Sequence, residues 1–117
     1  MAASSSATAA VGKATVAAAP VLSPTLSLRL SATRIKAGRT VTFTGTTDRR
    51  VAGATIYRQS YYGGAWHTRQ TGKVGANGVA TFTVKPLTKS TGTYRLVLAA
   101  GPAHRAAASS SVVLRTV

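Results

Sequence analysis

Residues 54–74 read ATIYRQSYYGGAWHTRQTGKV. From Ala54 to Tyr61 the chain alternates, with Ala54 and Ile56 falling on one side, and this period of two predicts a half-buried strand. Gly63-Gly64 then makes a tight reversal, and residues 65–74 return as a second strand. The same grammar extends in both directions from this hairpin. Upstream, LSLRLSAT (residues 26–33) sets Leu26, Leu28 and Leu30 opposite Ser27, Arg29 and Ser31, and TVTFTGT (residues 40–46) turns Val41 and Phe43 inward between threonines. Downstream, Ala76-Asn77-Gly78 signals a turn, because Asn and Gly tolerate positive φ. VATFTVKP (residues 79–86) offers Ala80, Phe82 and Val84 to one face before Pro86 stops it. TYRLVLAAG (residues 93–101) sets Tyr94, Leu96 and Leu98 against Arg95 and Val97, and SSVVLRTV (residues 110–117) follows with its inward register open. About seven short strands separated by Gly, Pro or Asn turns predict an all-β fold, an antiparallel β-sandwich, over residues 25–117.

Residues 1–24 are different. MAASSSATAAVGKATVAAAPVLSP is built of Ala, Ser, Thr and Val, with Lys13 its only charge and Pro20 and Pro24 near its end. No basic stretch precedes a continuous apolar run, so this is not a signal peptide. Its longest apolar run, residues 16–22, is broken by Pro20 and is too short to cross a membrane. It reads as an extended N-terminal arm of the kind an exported protein shows after its signal is removed, with Met1 added. The plainer reading of the same composition is a linker. If the arm docks, main-chain hydrogen bonds to a groove or sheet edge would hold it, because its side chains are small. Ala9, Val11, Lys13 and Thr15 would then face one way, and Val16 would lie with the small residues Ala10, Gly12 and Ala14 on the other.

Among the 117 residues, fifteen Lys and Arg face a single acid, Asp48, for a formal charge of +14, and there is no cysteine. A paired-carboxylate mechanism therefore lacks its second acid. Asp48 is followed by Arg49 and Arg50, which marks it as a turn residue paired locally. His67 and His104 stand without the companions a metal site needs, and no phosphate-binding Gly-rich motif occurs. The composition predicts a non-catalytic protein with no cofactor or metal. A surface this basic attracts acidic partners. Neither a helix-turn-helix nor an RNP-type aromatic motif is present, so specific nucleic-acid reading is not expected.

The stretches LSLRLSATRIKAGRTVTFTGT, ATIYRQ, GANGVATFTV, STGTYRLVLAA and VVLRTV resemble the Ig-like modules of secreted actinobacterial proteins. The similarity covers residues 26–117. It implies an immunoglobulin-like sandwich, an extracellular address and a non-catalytic role. It also implies that Tyr94 turns its hydroxyl back to the backbone near the preceding bend, and that Trp66 packs between the sheets. The cysteine pair of antibody domains is missing. An arm followed by such a sandwich is similar to the small linking subunits of actinobacterial secreted assemblies, including umbrella-shaped toxin particles.

Candidate partner-binding residues fall in three places. In the arm they are Ala9, Val11, Lys13, Thr15 and Val16. Around the Gly-Gly reversal they are Tyr61 and Tyr62 with Arg58 and Arg69, since aromatics and Arg on a protruding loop are the composition of interface hot spots. His104 and Arg105 in the loop GPAHRAAA form a third group. The expected function is a secreted adaptor that meets larger acidic extracellular proteins through arm and basic sandwich. The alternatives are a module that binds an anionic cell-wall polymer and a spacer domain of a larger exported protein. A membrane-permeabilising role would need a basic amphipathic helix, which the sequence lacks.

Overall fold

The computed structural model describes residues 21–117. Among these residues nine strands follow one another: β1 (Ser27–Leu30), β2 (Arg34–Ile35), β3 (Val41–Thr46), β4 (Thr55–Tyr62), β5 (Ala65–Lys73), β6 (Val79–Val84), β7 (Ser90–Leu98), β8 (Ala107–Ala108) and β9 (Val112–Thr116). A 3-10 turn, Arg49–Val51, lies between β3 and β4, with Asp48 as its N-cap. The seven longer strands are those the alternation predicts, and β2 and β8 are two-residue additions.

The strands form two sheets. A smaller one has the order β1-β3-β6, and a larger one has the order β2-β9-β7-β4-β5 with β8 attached to β7. Among these nine strands pairing is antiparallel except between β2 and β9, which run parallel. The first strand thus changes sheets midway. Ser31 N still donates to Thr42 O of the smaller sheet at 2.9 Å, while Thr33 O already accepts from Arg115 N of the larger sheet at 2.8 Å.

The core lies between the sheets. Val41, Phe43, Ile56, Leu96, Leu98 and Leu114 are fully buried, with Leu26, Ile35, Val51, Val74, Ala80 and Phe82 around them. Each large apolar side chain removed from water there contributes roughly 1.5–3 kcal/mol. In β9, Leu114 and Thr116 point inward and Val113 and Arg115 outward, which settles the register the sequence left open. β7 begins at Ser90 rather than Thr93, because residues 90–93 find a ladder partner in β9.

The hairpin turns where expected. Gly63 and Gly64 have φ of 61° and 81°, left-handed values that match a two-residue reversal to the twist of the strands. The register is then Tyr62 opposite Ala65 and Tyr61 opposite Trp66, with an irregularity between Arg58 and Gln59. Ile56 faces the core, so Tyr61, five residues on, faces away from it, and so does its partner Trp66. Trp66 therefore does not pack between the sheets. It lies on the outer face of the larger sheet, edge-on to Tyr61 with ring centroids 5.1 Å apart.

Arg58 takes an inward position instead. It is 7% exposed, and its guanidinium carbon lies 5.3 Å from the centre of the Phe43 ring and 5.6 Å from that of Tyr94. Its Nε donates to Gln70 Oε1 at 2.6 Å. Burial pushes this guanidinium below its ordinary pKa; Tyr94 works against that shift and Arg69 adds to it. Tyr94 also departs from expectation. Its ring packs edge-on against Phe43 at 5.4 Å and covers Gly92, and among the described residues its hydroxyl has no backbone partner.

The last residues of the expected arm belong to the sandwich's hydrogen-bond network. Leu22 N donates to Ala103 O, and Leu22 O accepts from Arg105 N, both at 2.9 Å. Ala9, Val11, Lys13, Thr15 and Val16 lie outside the described residues.

Candidate functional site

Cross-strand register assembles a continuous surface on the outer face of the larger sheet. Val113 of β9 stands opposite Thr93 of β7, Thr93 opposite Tyr61 of β4, and Tyr61 opposite Trp66 of β5. One row across four strands therefore reads Val113, Thr93, Tyr61, Trp66. The next row holds Arg95, Gln59 and Thr68, and the one after it Val97, Tyr57 and Thr71. Val113 is 52% and Tyr61 48% exposed, so the apolar part of this face is open to solvent.

Arg95 occupies the centre. Its guanidinium carbon sits 4.3 Å from the centroid of the Trp66 ring, and its Nε donates to Gln59 Oε1 at 2.8 Å. Among the described residues the two terminal nitrogens have no hydrogen-bond partner. A guanidinium held over an indole and tied by Nε offers those terminal N–H groups as a fixed fork, a geometry that suits a carboxylate.

On the other side of the hairpin tip, the Tyr62 and His67 rings stack with centroids 3.8 Å apart, and the Arg69 guanidinium lies 5.6 Å from the Tyr62 ring. His67 Nε2 donates to Tyr62 O at 3.1 Å. Tyr61, Tyr62 and Arg69 of the sequence-predicted set thus gather at this end, Tyr61 on one face and the other two on the opposite one. Arg58 does not join them. Its parity with Ile56 sends it into the core, a correction to its place among surface contacts.

His104 and Arg105 stand apart from the hairpin. His104 Nε2 donates to Ala99 O at 2.9 Å, and the backbone on either side of it holds Leu22. Arg105 is exposed. A shallow depression of about 350 Å³, lined by residues 50–55, residues 99–102 and His104, has Arg50 as its one Arg or Lys among the described residues. That cation is already engaged: Arg50 Nη2 lies 2.6 Å from Asp48 Oδ2, and Asp48 Oδ1 also accepts from Arg50 N at 2.9 Å. These side-chain and backbone bonds lower the Asp48 pKa to about 2.

The architecture has a counterpart among solved structures. The chain superposes on the structure described as the "D00-D0 domain of Intimin" with a TM-score of 0.51 at 19% identity, over 92% of this chain and 52% of that one. The fold is immunoglobulin-like. At this identity the likeness shows the fold alone, and the chain spans about half the length of that structure. No family model matches the chain, and no curated protein does. Among the described residues, no helix of the Ig-like domain is long and apolar enough to cross a membrane.

Sequence reasoning missed Trp66, Arg95 and Val113 as members of the site. The signal was present. A two-residue reversal at Gly63-Gly64 fixes Trp66 opposite Tyr61, and alternation from Ile56 then carries both to the outer face.

Proposed function

We propose that this Ig-like chain is a non-catalytic, secreted interaction protein, an adaptor that joins larger extracellular proteins through its basic sandwich surface and its N-terminal arm. The observation that carries this reading is the open outer face of the larger sheet. There a row that includes Tyr61, Trp66 and Val113 lies one register step from the Arg95 guanidinium, in a chain of charge +14. Exposed aromatic and Arg clusters of this kind supply interface hot spots. In its most specific form the proposal makes the chain a linking subunit of a secreted assembly such as an umbrella-shaped toxin particle. The arm-plus-sandwich resemblance supports that form.

Two baits test it, the full chain and a version beginning at Val21, which keeps the Leu22 bonds to the loop at residues 103–105. Both are presented to a high-GC actinomycete's culture supernatant and washed at about 0.15 M and then 0.5 M salt, which shortens the screening length from about 8 Å to roughly half that. Capture of one discrete protein that survives the second wash, weakened on the shorter bait, supports the adaptor. Anionic polymer released from both baits together refutes it in favour of a polyanion-binding module.

A further inference from the structure

We infer that the outer face of the larger sheet is a docking surface for an acidic protein, with Arg95 receiving an Asp or Glu side chain and Tyr61, Trp66 and Val113 seating an apolar neighbour of that carboxylate. This rests on the interaction-protein reading and names its surface and the partner's chemistry.

The partner's acidity follows from what surrounds Arg95. The chain's only acid, Asp48, is tied to Arg50, so no internal carboxylate serves the Arg95 fork. A second copy of the chain would bring like charge, +14, and no other acidic side chain, which disfavours self-association by this face. A sugar would stack on an indole face of Trp66, and the guanidinium at 4.3 Å already covers one of the two.

The site is also ordered before any partner arrives. The guanidinium rests over the Trp66 ring at 4.3 Å, and its Nε is held by Gln59 Oε1 at 2.8 Å. Little side-chain entropy is then lost on docking, and preorganisation of this kind raises affinity without new contacts. The apolar row lies at the next register step, with Tyr61 directly across from Thr93 and Arg95 across from Gln59. Successive outward residues of a strand lie about 7 Å apart. A partner residue one or two positions from its carboxylate therefore reaches the row.

Trp66 is the protein's single tryptophan, so its emission reports on this face alone. The immobilised full chain is used to select from a random dodecapeptide display library at about 0.15 M salt, and the enriched peptide is titrated against the free protein. The expected peptide carries Asp or Glu next to an apolar residue and shifts the Trp66 emission. Arg95→Gln is expected to weaken it about 10- to 100-fold, the range for a lost charged hydrogen bond. Replacing the peptide's acid by its amide should weaken it similarly, and the two changes combined should cost much less than their product. Lys85→Gln, past the end of β6 in the other sheet, removes the same charge and should change binding less than twofold. Thermal melting of each variant confirms that it is folded.

The inference is overturned if no peptide is enriched, if the consensus lacks acids, or if Arg95→Gln and Lys85→Gln weaken binding equally. The last result would make the attraction diffuse charge, as a polyanion would feel it. If the two-bait capture succeeds and Arg95→Gln captures just as much, the docking face is wrong and the adaptor stands. Failure of every bait removes the adaptor itself.

Discussion

Replacing Arg58 by alanine should destabilise the domain more than any other loss of a basic residue. The guanidinium is buried against two aromatic rings at 5.3 and 5.6 Å and bonded to Gln70 at 2.6 Å. A desolvated cation–π contact contributes up to about 2 kcal/mol, and a hydrogen bond from a charged donor roughly 1.5–3 kcal/mol. These contributions overlap, and alanine also leaves a void beside Phe43, so the expected loss is about 3–4 kcal/mol. A domain of this size has roughly 5–10 kcal/mol in total. Arg58→Met keeps the apolar stem under the rings but orphans Gln70, and should lose about 2 kcal/mol. Adding Gln70→Leu to it should recover about half of that, because both polar partners are then gone. Urea titration followed by Trp66 fluorescence measures all four proteins. At a slope near 1 kcal/mol per molar for a domain this small, the alanine variant's midpoint falls by about 3 M. A loss under about 0.5 kcal/mol for Arg58→Ala would show that the guanidinium is a passenger and that Phe43 and Tyr94 hold this end of the core without it.

Three further outcomes are expected. Ser60 Oγ is buried and, among the described residues, has no hydrogen-bond partner, so Ser60→Ala should stabilise by about 1 kcal/mol, raising the melting midpoint by roughly 4–8 °C in calorimetry; a lower midpoint would reveal a missed partner. At Gly45 an added Cβ would stand 2.6 Å from Leu96 Cδ1 in the closed core, and Gly45→Ala should cost about 1–3 kcal/mol in the same measurement. The Asp48 pKa is depressed in the fold from 3.8 to about 2, so its contribution is whole above pH 4 and is lost as pH falls through 2. Asp48→Asn should therefore melt below the parent at pH 5 and alongside it below pH 2; a difference that persists unchanged in acid refutes the assignment.

The hairpin and the strands around it were legible because a strand between core and solvent must alternate, and Leu28, Phe43, Phe82 and Leu96 do so without interruption. Two-residue strands carry no such period. Arg34–Ile35 and Ala107–Ala108 pair only because longer neighbours are already in place. Arg58 and Trp66 were misplaced for a shared reason. Residue type suggested that the cation lies outside and the indole inside, whereas position in the strand required the reverse. Where type and parity disagreed, parity decided, since moving one residue to the other face would slip the whole ladder. Arg95 looked like any of the fifteen bases until its contacts with Trp66 and Gln59 set it apart.

The parallel pairing of β2 with β9 has a mechanical consequence. A pull toward the residue 21 end draws β2 one way, and a pull at Val117 draws β9 the other. The bonds Arg115 N to Thr33 O, Val117 N to Ile35 O and Ala37 N to Val117 O lie across that line of force. Tension between the two ends of the domain therefore shears them together and does not unzip them one at a time. A protein that tethers two larger bodies would carry its load across this short ladder.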